Sequence, residues 1–174
     1  MKTILVAQYI SGKKKSFVSS TISFYTGLFP CNWGTPPHSH TEICFVERNK
    51  CWSSTNRGES IGTRFDTMEN VFKHPERWDV FEIQLSERQE ECLYSFCILH
   101  LDKDYDWVGI AGFALFGINN QNKFYCSEGC GFGLAVIRVI NFYRVLSPRH
   151  LTKVLLKQGR KMESLVDYQI RTAA

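Results

Sequence analysis

The sequence lacks an apolar run long enough to cross a membrane, because no stretch reaches the ~18 apolar residues that a spanning helix needs. The apolar run over residues 3–10 is too short for the core of a signal peptide with its flanks, and no small-residue cleavage site follows it. We therefore expect a buried strand at residues 3–10, no signal peptide and no transmembrane segment.

The cysteines lack the spacing of a disulfide framework. There are seven, namely Cys31, Cys44, Cys51, Cys92, Cys97, Cys126 and Cys130. An odd number of cysteines without a signal peptide is typical of a reducing compartment, in which thiols stay free. The sequence therefore predicts a cytoplasmic protein.

The sequence also lacks the dense basic stripe with interleaved aromatics that is typical of nucleic-acid binders. The formal net charge is only +4, and the basic residues are scattered apart from residues 13–15 and a basic-leaning end over residues 149–171. A short lysine run of this kind is usually a solvated surface. We expect no nucleic-acid partner.

Length and composition favour one compact domain over residues 1–174. A chain of 174 residues can bury a substantial core, and 44% hydrophobic with 22% charged residues excludes a disordered chain. We see no internal repeat and no low-complexity segment.

Residue patterns in the middle of the chain predict an antiparallel sheet. Residues 39–46 are rich in strand formers, and a polar turn over residues 47–50 leads into residues 51–54, which predicts a β-hairpin. A glycine-punctuated segment over residues 57–65 predicts a third strand. Residues 78–85 alternate large apolar and polar side chains, as a half-buried strand does.

Other patterns predict helices around that sheet. Ser86 and Gln89 have the spacing of a capping box, which predicts a helix from there to about Leu101. Residues 126–143 have the length of a helix, and their glycines suit close packing against the sheet. Pro148 after Ser147 predicts the start of a last helix. Weaker patterns predict a short helix over residues 17–25, a buried helix over 107–116 and a frayed end after residue 157.

Cys126 and His40 are the two parts that a cysteine nucleophile needs: a thiol at the start of a helix and an imidazole on a strand. A helix N-terminus and a neighbouring imidazolium both favour the thiolate, which is the attacking form. The backbone N–H groups of Cys126 and Ser127 would then bind a developing oxyanion. The alternative is chance, since seven cysteines and five histidines allow many pairs.

The group that would orient the imidazole has two candidates. Glu42 follows His40 by two residues, so both side chains lie on one face of the strand. The alternative for Glu42 is a solvent-facing strand residue. Ser54 lies on the next strand of the hairpin, although a hydroxyl orients an imidazole less firmly than a carboxylate does.

A zinc site is a further alternative for the same part of the sequence. Cys126 and Cys130 with His38 and His40 would supply four ligands of two types, but CxxxC and an isolated HxH are weak evidence for zinc. We expect no metal and no other cofactor.

Several short segments match one known family in the same chain order. They are residues 39–43, residues 52–54, Arg64, Trp78, residues 105–110 and residues 124–128. Together they resemble the circularly permuted NlpC/P60 family of papain-like cysteine hydrolases, most closely its YiiX-like members, many of which are encoded by bacteria and their phages. The resemblance covers about residues 39–134. Glu42 departs from the commoner pattern, in which a glycine often stands two residues after the histidine.

This resemblance implies a papain-like α+β fold in which an antiparallel sheet packs against helices and the histidine strand precedes the nucleophile helix. It implies a catalytic core over about residues 39–146, followed by a C-terminal helix and tail over residues 147–174. Cys126 matches the family nucleophile and His40 its general base. The implied function is a peptidase or amidase that forms a thioester on a peptide, protein amide or lipid acyl substrate.

Two alternatives to a hydrolase remain at this stage. An acyltransferase would form the same thioester and pass the acyl group to a lipid or an amine. A phage or bacterial interaction protein would keep the fold and bind a host protein without catalysis. A phage-encoded protein would act in the host cytoplasm.

Overall fold

Six β-strands form one antiparallel sheet in the part of the chain that the structure describes. The computed structural model describes residues 1–10, 34, 36–55, 61–106, 123–141 and 147–173. The strands are β1 (Lys2–Ile10), β2 (His38–Phe45), β3 (Lys50–Thr55), β4 (Gly62–Thr67), β5 (Trp78–Leu85) and β6 (Met162–Ser164). Their order in the sheet is β4-β3-β2-β1-β5-β6.

Helices cover both faces of this sheet. They are α1 (Met68–Val71), α2 (Glu87–Leu99), α3 (Cys126–Val136), α4 (Pro148–Lys157) and α5 (Leu165–Ala173). One face packs against α2, α3 and α4 through a core that includes Trp52, Leu93 and Leu134. The other face packs against α5 through Leu165. The predicted α+β class with an antiparallel sheet packed against helices is confirmed.

The first strand lies in the middle of the sheet, as its continuous apolar run indicates. Its residues Ile4, Leu5, Val6 and Ala7 are fully buried, because both faces of the sheet are covered and β1 pairs with β2 on one side and β5 on the other. The predicted buried strand is confirmed.

The predicted hairpin is also confirmed, but its two strands separate at one end. A 3-10 turn (Val46–Arg48) and Asn49, at a left-handed φ of 50°, join β2 to β3. The ladder between these strands runs only from Phe45 to Ile43 on the β2 side, whereas β2 pairs with β1 as far as His38. The sheet therefore opens between β2 and β3 beyond Ile43.

The capping box at the start of α2 is present in full. Ser86 Oγ accepts a hydrogen bond from the N–H of Gln89, and the Gln89 side chain accepts one from the N–H of Ser86. The helix then buries Leu93, Phe96 and Cys97 against the sheet.

The helix that begins at Cys126 is shorter than predicted. The expectation of a helix to residue 143 is wrong, since α3 ends at Val136 and Arg138 adopts a left-handed φ of 59°. The N–H groups of Arg138 and Val139 bond back to the carbonyls of Ala135 (3.0 Å) and Leu134 (2.9 Å). This is a Schellman ending, which satisfies the last carbonyls of the helix and turns the chain away.

The C-terminal part is more ordered than predicted. Ser147 Oγ accepts from the N–H of His150, so the predicted cap and proline start of α4 are confirmed. The expectation of a frayed end after residue 157 is wrong, because β6 pairs with β5 and α5 buries Leu165 and Tyr168. Pairing with a strand far away in sequence orders this segment.

Three predicted features lie outside the described residues. They are the helix over residues 17–25, the helix over residues 107–116 and the thiol of Cys31. Among the helices that the structure does describe, none combines the length and the apolar character needed to span a bilayer.

Candidate active site

The start of α3 places Cys126 at a helix N-terminus, as the sequence predicted. Cys126 is the first residue of α3 and is 4% exposed, and Ser127 follows it fully buried. The N–H groups of a first helical turn have no intrahelical acceptor, and they carry the positive end of the helix dipole. The two proposed oxyanion donors, Cys126 and Ser127, both lie in this turn.

Hydrogen bonds with β3 and with residues 104–106 fix the backbone just before Cys126. Ser54 Oγ donates a buried hydrogen bond of 2.6 Å to the carbonyl of Phe124, which also accepts from the N–H of Asp106 at 3.1 Å. The N–H of Phe124 donates to the carbonyl of Asp104. Ser54 thus fixes the backbone that leads into Cys126, and we find it bonded there rather than to the imidazole.

His40 lies between the thiol and a carboxylate. Its side chain is 14% exposed, its Nε2 donates to Glu42 Oε1 at 2.9 Å, and Cys126 is near enough to act on the pKa of its ring. Because Nε2 is hydrogen-bonded to Glu42, Nδ1 is the ring nitrogen available to the thiol. The structure therefore brings together Cys126, His40 and Glu42, and Glu42, not Ser54, contacts the imidazole.

The separation of β2 from β3 explains how a helix reaches a strand residue in the sheet. Cys130, one turn after Cys126, has its Sγ 3.7 Å from the carbonyl oxygen of Thr41 on β2 and 4.0 Å from that of Trp52 on β3. A Cβ placed on Gly129 would lie 3.0 Å from the Trp52 ring. The helix thus approaches both strands closely where their ladder ends, and glycine permits the approach.

The surroundings of His40 favour its protonated form. Burial lowers the pKa of His40, but the charge of Cys126 and its hydrogen bond, followed by those of Glu42, raise this pKa to about 9. His40 is therefore protonated at neutral pH, which is the state that stabilises a neighbouring thiolate.

Other buried thiols have a different environment. Burial raises the pKa of Cys44, Cys97 and Cys130 well above the ordinary value for a thiol, which keeps them protonated. They behave as small apolar side chains. Cys92, by contrast, is exposed.

Glu42 is buried, so the alternative of a solvent-facing residue is wrong. It is 1% exposed, and its Oε1 accepts from Arg64 Nη2 at 3.4 Å in addition to His40. Sequence reasoning assigned no role to Arg64, which stands among the family-like residues only. β3 lies between the strands that carry Glu42 and Arg64, so no local spacing pairs them.

His38 does not join His40 in this site. It is fully buried, with Nε2 2.9 Å from Asp79 Oδ2 and Nδ1 2.9 Å from Thr152 Oγ1, and it ties β2 to β5 and α4. The register of β1 and β2 is irregular next to it, between Tyr9 and Ile10. Among the described residues, no group of three or more His, Cys, Asp and Glu side chains is arranged to hold a metal.

Comparisons with known proteins identify no family for the chain. No protein-family model matches it, and no curated protein or solved structure matches it either. The case for a function therefore depends on the geometry of this site and on the resemblance of its sequence segments.

Proposed function

We propose that the protein is a cysteine hydrolase, a peptidase or amidase with a papain-like fold of the permuted NlpC/P60 type. One observation carries the proposal. Cys126 begins α3 and lies close enough to His40 to raise the pKa of the imidazole, and the Nε2 of His40 lies 2.9 Å from the buried carboxylate of Glu42. The nucleophile, the base and the orienting group are thus neighbours in space in the sequence that thiol catalysis requires, with the imidazole between the thiol and the carboxylate.

The arrangement supports a two-step reaction through a thioester. With the proton on His40, the Cys126 thiolate attacks the carbonyl carbon, and the backbone N–H groups of Cys126 and Ser127 stabilise the oxyanion. His40 then donates the proton to the leaving amine, and the C–N bond breaks. In the second step His40 takes a proton from water as its oxygen attacks the thioester carbonyl, the C–S bond breaks, and the acid product leaves Cys126 as a thiolate beside protonated His40. Glu42 keeps the imidazole in one orientation throughout.

Alkylation of the thiols by iodoacetamide tests this proposal before any substrate is known. We expect Cys126, although 4% exposed, to react faster at pH 7 than the exposed Cys92. The positive end of the helix dipole and a protonated His40 both favour the thiolate, which is the form that reacts with iodoacetamide. His40→Ala should remove most of this advantage. Peptide mass spectrometry over a time course measures each rate.

A matched histidine variant controls for indirect effects. His74 has a side chain that is 66% exposed, and His74→Ala should leave the rate at Cys126 unchanged. Equal rates at Cys92 and Cys126, or a rate at Cys126 that survives His40→Ala, would rule out an activated nucleophile.

Turnover of an activated ester distinguishes hydrolysis from acyl transfer. We expect the wild type to release the free acid from a p-nitrophenyl ester, and Cys126→Ser to release none above background. If an added amine or lipid acceptor takes most of the acyl group instead of water, the protein is an acyltransferase.

A further inference from the structure

Glu42 shares one carboxylate oxygen between two cations. Its Oε1 accepts from His40 Nε2 at 2.9 Å and from Arg64 Nη2 at 3.4 Å. Its Oε2 and Arg64 Nη1 are also buried, and neither has a hydrogen-bond partner in the part of the chain that the structure describes. Cys126, His40, Glu42 and Arg64 therefore form a continuous row of interacting groups.

A buried carboxylate needs a cation nearby, because a charge in a low-dielectric site is costly unless it is paired. His40 meets this need only while it is protonated, and in the proposed reaction it gives up that proton in each turnover. An arginine stays charged at every pH at which the protein is folded. Of the two cationic partners of Glu42, Arg64 is the permanent one.

We propose that Arg64 is a positioning residue, which holds Glu42 as a carboxylate directed at His40 while the charge of His40 changes. The effect of this positioning on catalysis rests on the proposed function, whereas its effect on the titration of His40 does not.

The other ionisable groups around Glu42 do not replace Arg64. Asp66 Oδ2 is 3.9 Å from Arg64 Nη2, and its side chain is 31% exposed, so it competes weakly for the guanidinium. Within the described part of the chain, the remaining groups that interact with Glu42 are thiols whose pKa burial raises, namely Cys44, Cys51 and Cys130.

The alkylation rate of Cys126 between pH 5 and pH 9 tests the proposal. In Arg64→Gln we expect the rate at pH 7 to fall toward that of His40→Ala, because a misdirected Glu42 no longer holds the imidazole against the thiol. Arg64→Lys should restore most of the rate. Because Arg64 acts through Glu42, the double variant with Glu42→Gln should be no slower than Glu42→Gln alone.

Arg48 supplies a matched control. Its Nε bonds at 2.6 Å to Glu90, a glutamate that is 2% exposed, and its side chain is 30% exposed, so it forms the same kind of pair elsewhere in the fold. Arg48→Gln should lower the unfolding midpoint in urea but leave the pH profile of Cys126 unchanged. A merely structural role for Arg64 predicts that both arginine variants behave alike.

The titration of His40, followed by NMR, separates this proposal from the proposed function. We expect its midpoint to rise in Arg64→Gln even if Cys126 proves to be no faster than Cys92, because the buried carboxylate then depends on His40 for its positive charge. A midpoint that stays or falls, a faster rate at Cys126, or additive losses in the double variant would overturn the role of Arg64. If Arg64→Gln does not fold, Arg64→Lys carries the test, and its His40 midpoint must lie at or above that of the wild type.

Discussion

The stability of the protein should fall as the pH rises from about 6.5 to about 9, and His40 should be the cause. The pKa of His40 is about 9 in the folded state, against an ordinary value of 6.5. The folded state therefore binds more protons than the unfolded state within this window, so the free energy of unfolding decreases with pH. The stabilisation is complete below pH 6.5 and is lost as the pH passes through 9. A difference of about 2.5 pH units at about 1.4 kcal/mol each sets an upper limit of about 3.5 kcal/mol.

Other shifted groups titrate toward the ends of this window. Burial, followed by the charges of Lys153 and Lys157, lowers the pKa of His150, so this residue changes stability only below pH 6.5. The buried thiols have a raised pKa, so they lower stability as the unfolded thiols ionise near pH 8.5. Among the described residues, the slope between pH 6.5 and about pH 7.5 therefore reports on His40.

Cys126→Ser should remove most of the pH dependence, because it removes the causes that raise the pKa of His40 most. Burial then lowers this pKa, and only Glu42 still raises it. Cys97→Ser is the matched control, since burial alone raises the pKa of the Cys97 thiol. Urea unfolding at pH 6.5, 7.5 and 8.5 gives the free energies. A wild type with constant or rising stability over this range would refute the reasoning, as would an equal loss of slope in Cys97→Ser.

Two further substitutions test how α3 is placed. Gly129→Ala puts a methyl group 3.0 Å from the Trp52 ring. The overpacking cost of ~1–3 kcal/mol should exceed the gain of up to ~1 kcal/mol in helix propensity, so we expect a lower stability. A higher urea midpoint would contradict this expectation. Ser54→Ala removes the 2.6 Å bond to the carbonyl of Phe124, which keeps one backbone donor. We expect a loss of about 1 kcal/mol and slower alkylation of Cys126, and an unchanged rate would show that Ser54 does not place the thiol.

Elements with local signals could be predicted from the sequence. Ser86 and Gln89 are three residues apart, and Pro148 follows Ser147 directly, so short-range chemistry alone starts α2 and α4. The end of α3 had no such signal, because an arginine at position 138 takes the left-handed conformation that is usually marked by glycine. The last strand was missed because its order comes from pairing with β5.

The candidate site was likewise predictable only in part from the sequence. The residue types and their order, with the resemblance, singled out Cys126 and His40, but they left the third group open between Glu42 and the weaker candidate Ser54. Burial and a 2.9 Å contact distinguish Glu42, and a buried bond to Phe124 occupies Ser54. These facts depend on which strands neighbour one another.

The sequence by itself determined where α2, α3, α4 and most of the strands begin, and which thiol stands at a helix N-terminus, because caps, turns and side-chain periodicity act over a few residues. Only the tertiary structure decided that the ladder between β2 and β3 ends at Ile43, that Cys126 lies beside His40, and that Arg64 lies against Glu42. The physical reason is that burial, charge pairing and the pKa of His40 arise between residues that are far apart in the chain and adjacent only once the sheet is assembled.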